Sequence, residues 1–270
     1  MAKSIFITGG GSGIGRAVAQ RFGSAGWFVG LGDINEAGMA ETQALLPAGK
    51  SFAMRLDVRD RAAWDAALAA FAEAAGGRID AVMNNAGVAY GGAFADQTET
   101  EIDQLIAVNF KGVANGAQAA HPWLKASAPG SCLLNTASAA ALYGTGGMAI
   151  YSATKFAVRA LTEALDTEWQ DDGIKVRSIM PSFIDTPLLA GPAGANTNVS
   201  KRDSVVAAGL EFTPIAQVAE AAWNAVHGGK VHTTVGKTAA QLKLAAMFAP
   251  GYIRKRARGL MQARQILARD

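Results

Sequence analysis

Tyr151 and Lys155 stand four residues apart in a segment, Met148 to Gln170, whose apolar residues recur at helical spacing. One helical turn sets them about 40° apart around the axis with roughly 6 Å between Cβ atoms, so phenol and amine share a face. A free phenol, with a pKa near ~10, is a poor base at neutral pH. A nearby ammonium favours the phenolate and brings proton transfer within reach. Ser138, thirteen residues before the tyrosine, follows a strand-like run ending near Thr136. From there its hydroxyl can enter a crevice and hydrogen-bond a substrate oxygen. Taken singly, a Tyr and Lys one turn apart are an ordinary surface contact, and a serine after a strand is an ordinary cap or turn residue.

A second constellation gives these groups something to act beside. Thr8 to Gly15 reads Thr-Gly-Gly-Gly-Ser-Gly-Ile-Gly directly after a first strand and at the opening of a first helix. Glycine at 9, 13 and 15 lets the backbone turn sharply, and with Ser12 and Ile14 it presents a helix N-terminus suited to a pyrophosphate. Eighteen residues after Gly15, at the end of a second strand run, stands Asp33. A carboxylate there accepts hydrogen bonds from an adenosine ribose and repels a 2′-phosphate. The positions that would carry a cation for that phosphate hold Ser12 and Ile34, so the expected cofactor is NAD. The alternative for Asp33 is to cap the helix beginning near Glu36.

Short strand-like runs alternate with helical patterns along most of the chain. We read strands near 3–8, 27–32, 51–56, 79–83, 130–136, 174–180 and 231–235. Helical spacing covers Ile14 to Ala25, Arg61 to Ala75, Glu101 to Lys125 and Met148 to Gln170. The pattern predicts an α/β domain, a doubly wound parallel sheet of seven strands with its crevice at the strands' carboxyl ends. Residues 1–235 would form the dinucleotide-binding and catalytic part and residues 236–270 a helical extension of it. Pro187 to Thr213, rich in Gly, Pro and Asn and without a period, reads as a mobile flap.

With Asn84-Asn85-Ala86-Gly87, Tyr151-Ser152-Ala153-Thr154-Lys155, Ser138, Asn109 and the Thr8 to Gly15 loop in this order, the chain resembles the short-chain dehydrogenase/reductase family over residues 3 to about 235. The resemblance implies a Rossmann fold and hydride transfer between a nicotinamide and a carbonyl or secondary alcohol. Tyr151 would be the acid/base, Ser138 would polarise the substrate oxygen, and Lys155 would hold the nicotinamide ribose. Asn109 would fix a water that relays protons. It further implies that Asp57 and Val58 contact the adenine, that Asn85, Ala86 and Gly87 line the cofactor trough, and that Pro181, Ile184 and Thr186 meet the nicotinamide. Ser182 stands where the family usually has glycine, which requires a negative φ there. Glu101 to Lys125 and Met148 to Gln170 resemble the helices that build four-helix interfaces, so a homodimer or homotetramer is expected.

By the same resemblance, Val88, Tyr90, Ala139, Ala140, Leu142, Tyr143, Phe183, Leu188 and Leu189 would face the substrate. Nearly all are apolar, which points to a bulky lipophilic alcohol or ketone, steroid-, retinoid- or aryl-like. A carbonyl or 3-oxoacyl reductase working in the reductive direction is the rival enzyme reading. A nucleotide-sensing scaffold is the rival without catalysis.

The formal charge is +3, yet residues 251–270 hold six cations against one acid, leaving 19 Lys and Arg against 21 Asp and Glu elsewhere. A basic, aromatic-studded nucleic-acid face is therefore not expected. Tyr252 to Ala268 can place Ile253, Ala257, Leu260, Met261 and Leu267 on one face of a basic helix. Packing on the core or a neighbouring subunit is the favoured reading there, over a membrane-surface helix. Cys132 sits in an apolar run and reads as core filler, and the three histidines show no metal-ligand spacing, so no metal is expected. The N-terminus enters a strand at once and no apolar stretch is long enough to span a bilayer, which makes the cytoplasm the expected compartment.

Overall fold

A computed structural model describes residues 2–191, 200–207, 209–255 and 257–258. Its centre is a parallel sheet of seven strands: β1 (Ser4–Thr8), β2 (Phe28–Asp33), β3 (Ser51–Arg55), β4 (Ala81–Asn84), β5 (Cys132–Thr136), β6 (Lys175–Pro181) and β7 (His232–Val235). The spatial order is β3-β2-β1-β4-β5-β6-β7. The chain thus winds outward from β1 to β3, returns to the other edge of β1, and winds outward again to β7. Ile5 pairs with Val29 on one side and with Ala81 on the other. That reversal of direction opens a crevice above the carboxyl ends of β1 and β4.

Helices α1 (Gly13–Ser24), α2 (Glu36–Ala44), α3 (Arg61–Ala74), α4 (Glu99–Ile106), α5 (Gly112–Ala126), α6 (Ala149–Glu168), α7 (Lys201–Ala207), α8 (Ile215–His227) and α9 (Lys237–Phe248) complete the described elements. Central strands are buried on both faces, so successive residues feed different cores. Ile5, Ile7 and Leu31 meet Val18 and Phe22 of α1 and Val218 and Ala222 of α8. Phe6, Val82 and Leu133 meet Trp64, Leu68 and Phe71 of α3 and Leu124 of α5. Each such large side chain contributes about 1.5–3 kcal/mol by leaving water. Gly30 of β2 is part of this packing, because a Cβ there would lie 2.6 Å from the rings of Phe6 and Phe71.

The predicted single helix from Glu101 to Lys125 is two helices joined by a π-helical turn over Ala107–Lys111. The start is set by a capping box in which Thr98 and Glu101 satisfy each other's backbone N–H groups. The π turn inserts one residue into the helical ladder and carries Asn109 inward, where it is fully buried. Within the expected flap, Pro187–Leu189 forms a short 3-10 turn and α7 is helical. Among the described residues no helix is long and apolar enough to cross a membrane.

Candidate active site

The crevice is a cleft of about 1230 Å³, and its floor is the turn from β1 into α1. Gly9 N–H donates to the carbonyl of Gly32 at 2.8 Å, tying the turn to β2. Gly15 does not line the cleft. It lies behind the loop, where a Cβ would come within 2.1 Å of the Gly9 carbonyl oxygen, so the position excludes every side chain. Ser12, at the N-cap of α1, makes no side-chain cap, and the first turn holds no acid. Ser12, Gly13 and Ile14 line the cleft, so the helix presents its uncapped N–H groups to whatever binds there. Arg16, passed over in the sequence, locks the loop from behind: its guanidinium donates to the Gly11 carbonyl and to Glu41, each at 2.7 Å.

Asp33 lines the cleft at the carboxyl end of β2. One carboxylate oxygen accepts from Gly11 N–H at 2.9 Å and the other from Asn35 N–H at 3.0 Å. The cap of α2 is Asn35, which accepts from Gly38 N–H, so the capping role considered for Asp33 belongs to its neighbour. Ile34 lies exposed at the rim, followed along the wall by Asp57 and Val58. Arg59, also on this wall and not anticipated, hydrogen-bonds Asp57 and holds its carboxyl below the usual range. The uncapped helix end, the glycine turn and the carboxylate fit a nicotinamide dinucleotide.

The opposite end of the cleft holds the reactive groups. The Thr8 hydroxyl accepts from the N–H of Asn85 at 3.0 Å and of Ala86 at 3.1 Å, which threads Asn85, Ala86 and Gly87 along the wall. On α6, Lys155 is buried and its ammonium donates to the Thr136 carbonyl at 2.9 Å. Desolvation lowers its pKa to about 8. Tyr151 lies on the same face of α6, with Lys155 Nζ 5.7 Å from its ring centroid. Burial pushes the phenol above its ordinary range, and the neighbouring Ser138 hydroxyl pulls it back. The lowering expected from the ammonium comes here from the Ser138 hydroxyl. Ser138 is fixed in turn by accepting the N–H of Ala140 at 3.1 Å.

Asn109 does not line the cleft. Its amide oxygen accepts from Val88 N–H and its amide nitrogen donates to the Val88 carbonyl, both at 2.9 Å. It thereby clamps the chain after Gly87. Pro181, Ile184 and Thr186 line the cleft where the loop after β6 crosses the glycine turn. No non-glycine residue among those described has a positive φ, so Ser182 meets its requirement, and its hydroxyl pairs with Thr213 at 2.9 Å.

A family model described as short chain dehydrogenase matches residues 3–196. The chain belongs to the short-chain dehydrogenase family. It is 38% identical over 190 residues to a 2,5-dichloro-2,5-cyclohexadiene-1,4-diol dehydrogenase of Sphingobium indicum, covering 70% of this chain and 75% of that one. It is 35% identical over 189 residues to the meso-2,3-butanediol dehydrogenase of Serratia marcescens, covering 70% and 74%. The structure of a short-chain dehydrogenase/reductase from Burkholderia phymatum in complex with NAD superposes with a TM-score of 0.80 at 28% identity, covering 90% of this chain and 92% of the other. The protein is an oxidoreductase of this family.

The cleft continues beyond Ser138, Tyr151 and Lys155. Val88, Ala139, Ala140, Tyr143, Phe183, Leu188 and Leu189 line it as expected positions. Leu142 and Tyr90 do not. The 3-10 turn Ala139–Ala141 swings Leu142 onto the small core of Val113, Val158 and Met180. Along the extended stretch after Gly87, Val88 and Ala89 face the cleft and Tyr90 does not. The far wall comes from Gln241, Leu242 and Ala245 of α9, missed in the sequence, and from Tyr252, Ile253 and Ala257 after it, of which Ile253 and Ala257 belong to the face expected to pack on the core or a neighbouring subunit. In α9 the signal was hidden because apolar and polar residues are spread around the helix with no single preferred face. Leu260, Met261 and Leu267 lie outside the described residues. Cys132 is buried in β5. Among the described residues no cluster of His, Cys, Asp or Glu could hold a metal.

Proposed function

We propose that this protein is an NAD-dependent dehydrogenase of bulky, hydrophobic secondary alcohols. The observation that carries the reading is the convergence of Tyr151, Ser138 and Lys155 at one end of a cleft whose other end presents Asp33. Asp33 would accept the adenosine ribose hydroxyls, and its charge would exclude a 2′-phosphate. The uncapped N-terminus of α1 would hold the pyrophosphate, and Lys155 would hold the ribose nearer the reactive end. A bound nicotinamide would supply the hydride donor or acceptor for the alcohol carbon. Ser138 Oγ donates to the substrate oxygen and fixes it within reach of Tyr151 Oη. Tyr151 takes the hydroxyl proton in oxidation and returns it in reduction. Lys155, held by Thr136, keeps a positive charge behind the phenol and passes protons on. Asn109 acts by holding Val88, and a water retained nearby would connect Lys155 to solvent.

The reductive direction is the second reading, favoured by burial of Tyr151, which keeps the phenol protonated and ready to donate. The same cleft serves either direction. Exposed Ile106 on α4 and Phe156 on α6 are suited to a homodimer or homotetramer built on these helices.

NADH formation followed by absorbance, across alcohols from polyols to sterols, tests the reading. Turnover of lipophilic secondary alcohols with NAD, lost by a factor of about 10³ in Tyr151→Phe while NAD binding persists, supports it. Equal turnover of small polyols and lipophilic alcohols defeats the substrate class. Preference for NADP defeats the role of Asp33. Undiminished activity of Tyr151→Phe defeats the mechanism, and binding of NAD without any turnover would favour a nucleotide-sensing protein.

A further inference from the structure

The inner face of α9 closes the cleft, but its outer face is bare. Leu244, Met247 and Phe248 are 60%, 64% and 76% exposed, and Tyr252 just beyond them is 59% exposed. At 100° per residue, Leu244, Met247 and Phe248 fall on one arc of about 100°, beside the arc of Thr238, Gln241, Leu242 and Ala245 that faces the cleft. Lone exposed apolar side chains are common on proteins, whereas a contiguous stripe of three on one helix is a contact surface.

Charge identifies what it contacts. From Lys237 to Arg269 the chain carries eight Lys and Arg and not one Asp or Glu. Of these, Lys237 and Lys243 border the stripe, and Arg254, Lys255 and Arg258 are exposed on the segment that follows. Among the described cations of this stretch, only Lys237 approaches an acid, Glu211 of the preceding loop, at 4.0 Å. An apolar stripe bordered by cations matches the headgroup boundary of an anionic bilayer, where apolar side chains enter the acyl region and cations meet phosphates. Tyr252 belongs both to this outer surface and to the cleft lining, so the mouth of the cleft opens beside the stripe.

We propose that α9 and the segment through Arg258 dock the protein on anionic phospholipid surfaces, with the cleft opening toward the bilayer. A lipophilic alcohol dissolved in the acyl region would then reach Tyr151 without crossing water. The surface is separate from α4 and α6, so docking and subunit association can coexist.

Sedimentation with sucrose-loaded vesicles, either phosphatidylcholine alone or phosphatidylcholine mixed with phosphatidylglycerol, tests the proposal. The protein is expected to partition onto the mixed vesicles at low ionic strength and to leave them as salt rises. Lys243→Gln/Arg254→Gln/Lys255→Gln should lower partitioning by about fivefold per cation removed. Leu244→Ser/Met247→Ser/Phe248→Ser, at positions outside the cleft, should lower it by about tenfold or more with unchanged thermal unfolding. If the apolar variant fails to fold, the charge variant still decides. Absence of binding at low salt, or equal binding by wild type and charge variant, overturns the proposal. So does a light-scattering mass that halves in the apolar variant with no vesicle binding by the wild type, since the stripe would then join two copies of the chain.

Discussion

Replacing Lys155 by methionine should make the cofactor-free protein more stable while abolishing its activity. Burial lowers the ammonium from an ordinary 10.5 to about 8. At about 1.4 kcal/mol per decade, the charged form costs the folded state about 3 kcal/mol wherever both folded and unfolded chains are protonated. Methionine fills nearly the same volume and removes that cost, but it also removes the 2.9 Å hydrogen bond to the Thr136 carbonyl. That bond contributes about 1 kcal/mol, leaving the variant about 2 kcal/mol more stable near pH ~6, or about 5 °C in Tm. The sign follows from the depressed pKa. Below about pH 8 the lysine is charged in both states and the cost is complete; between about 8 and 10.5 only the unfolded chain binds the proton, so wild-type stability climbs with pH. The variant lacks this climb, and the two curves should cross near pH ~10. Urea unfolding of both proteins at about pH 6, 8 and 10 measures the difference, in which all other titrating groups cancel. A variant less stable than wild type at about pH 6, or a difference that does not shrink with pH, would refute the assignment of a desolvated ammonium to this site.

Alcohol oxidation needs the phenolate of Tyr151, whose pKa is raised by burial, so kcat/KM for oxidation should rise with pH and that for reduction should fall. Ser138→Ala should move the alkaline limb to higher pH as well as lowering kcat, because the serine hydroxyl is what opposes the burial effect; an unmoved limb would detach Ser138 from the phenol. Gly15→Ala should cost about 3 kcal/mol or more and weaken NAD binding, measured by unfolding and calorimetry, since the new Cβ has backbone 2.1 Å away. Asp33→Ala should weaken NAD binding about tenfold, narrow the preference over NADP, and cost about 1–3 kcal/mol by stranding the N–H groups of Gly11 and Asn35. Retained NAD selectivity in a titration of both dinucleotides would remove Asp33 from cofactor choice.

What the residue order determined is what repeats with a local period or hangs on a local steric need. The central runs became parallel strands because buried strands read as continuous apolar stretches whatever lies next to them, while the edge strands β3 and β7 are only partly buried. The glycine turn was legible because Gly15 has no room for a side chain, and Tyr151 and Lys155 because one helical turn suffices to pair them. Folding decided whatever depends on partners distant in the chain. The π turn that carries Asn109 to Val88 leaves no mark on helical spacing. Leu142 and Tyr90 were turned from the cleft by contacts their neighbours do not announce. The phenol's environment was set by burial and Ser138 rather than by the lysine one helical turn away. The cleft's far wall came from α9, whose apolar residues keep to no single face of the helix, and only β7 delivers it across the cleft. Spacing along a chain encodes which side chains share a strand or a turn, but desolvation and long-range contact exist only once separate elements exclude water together.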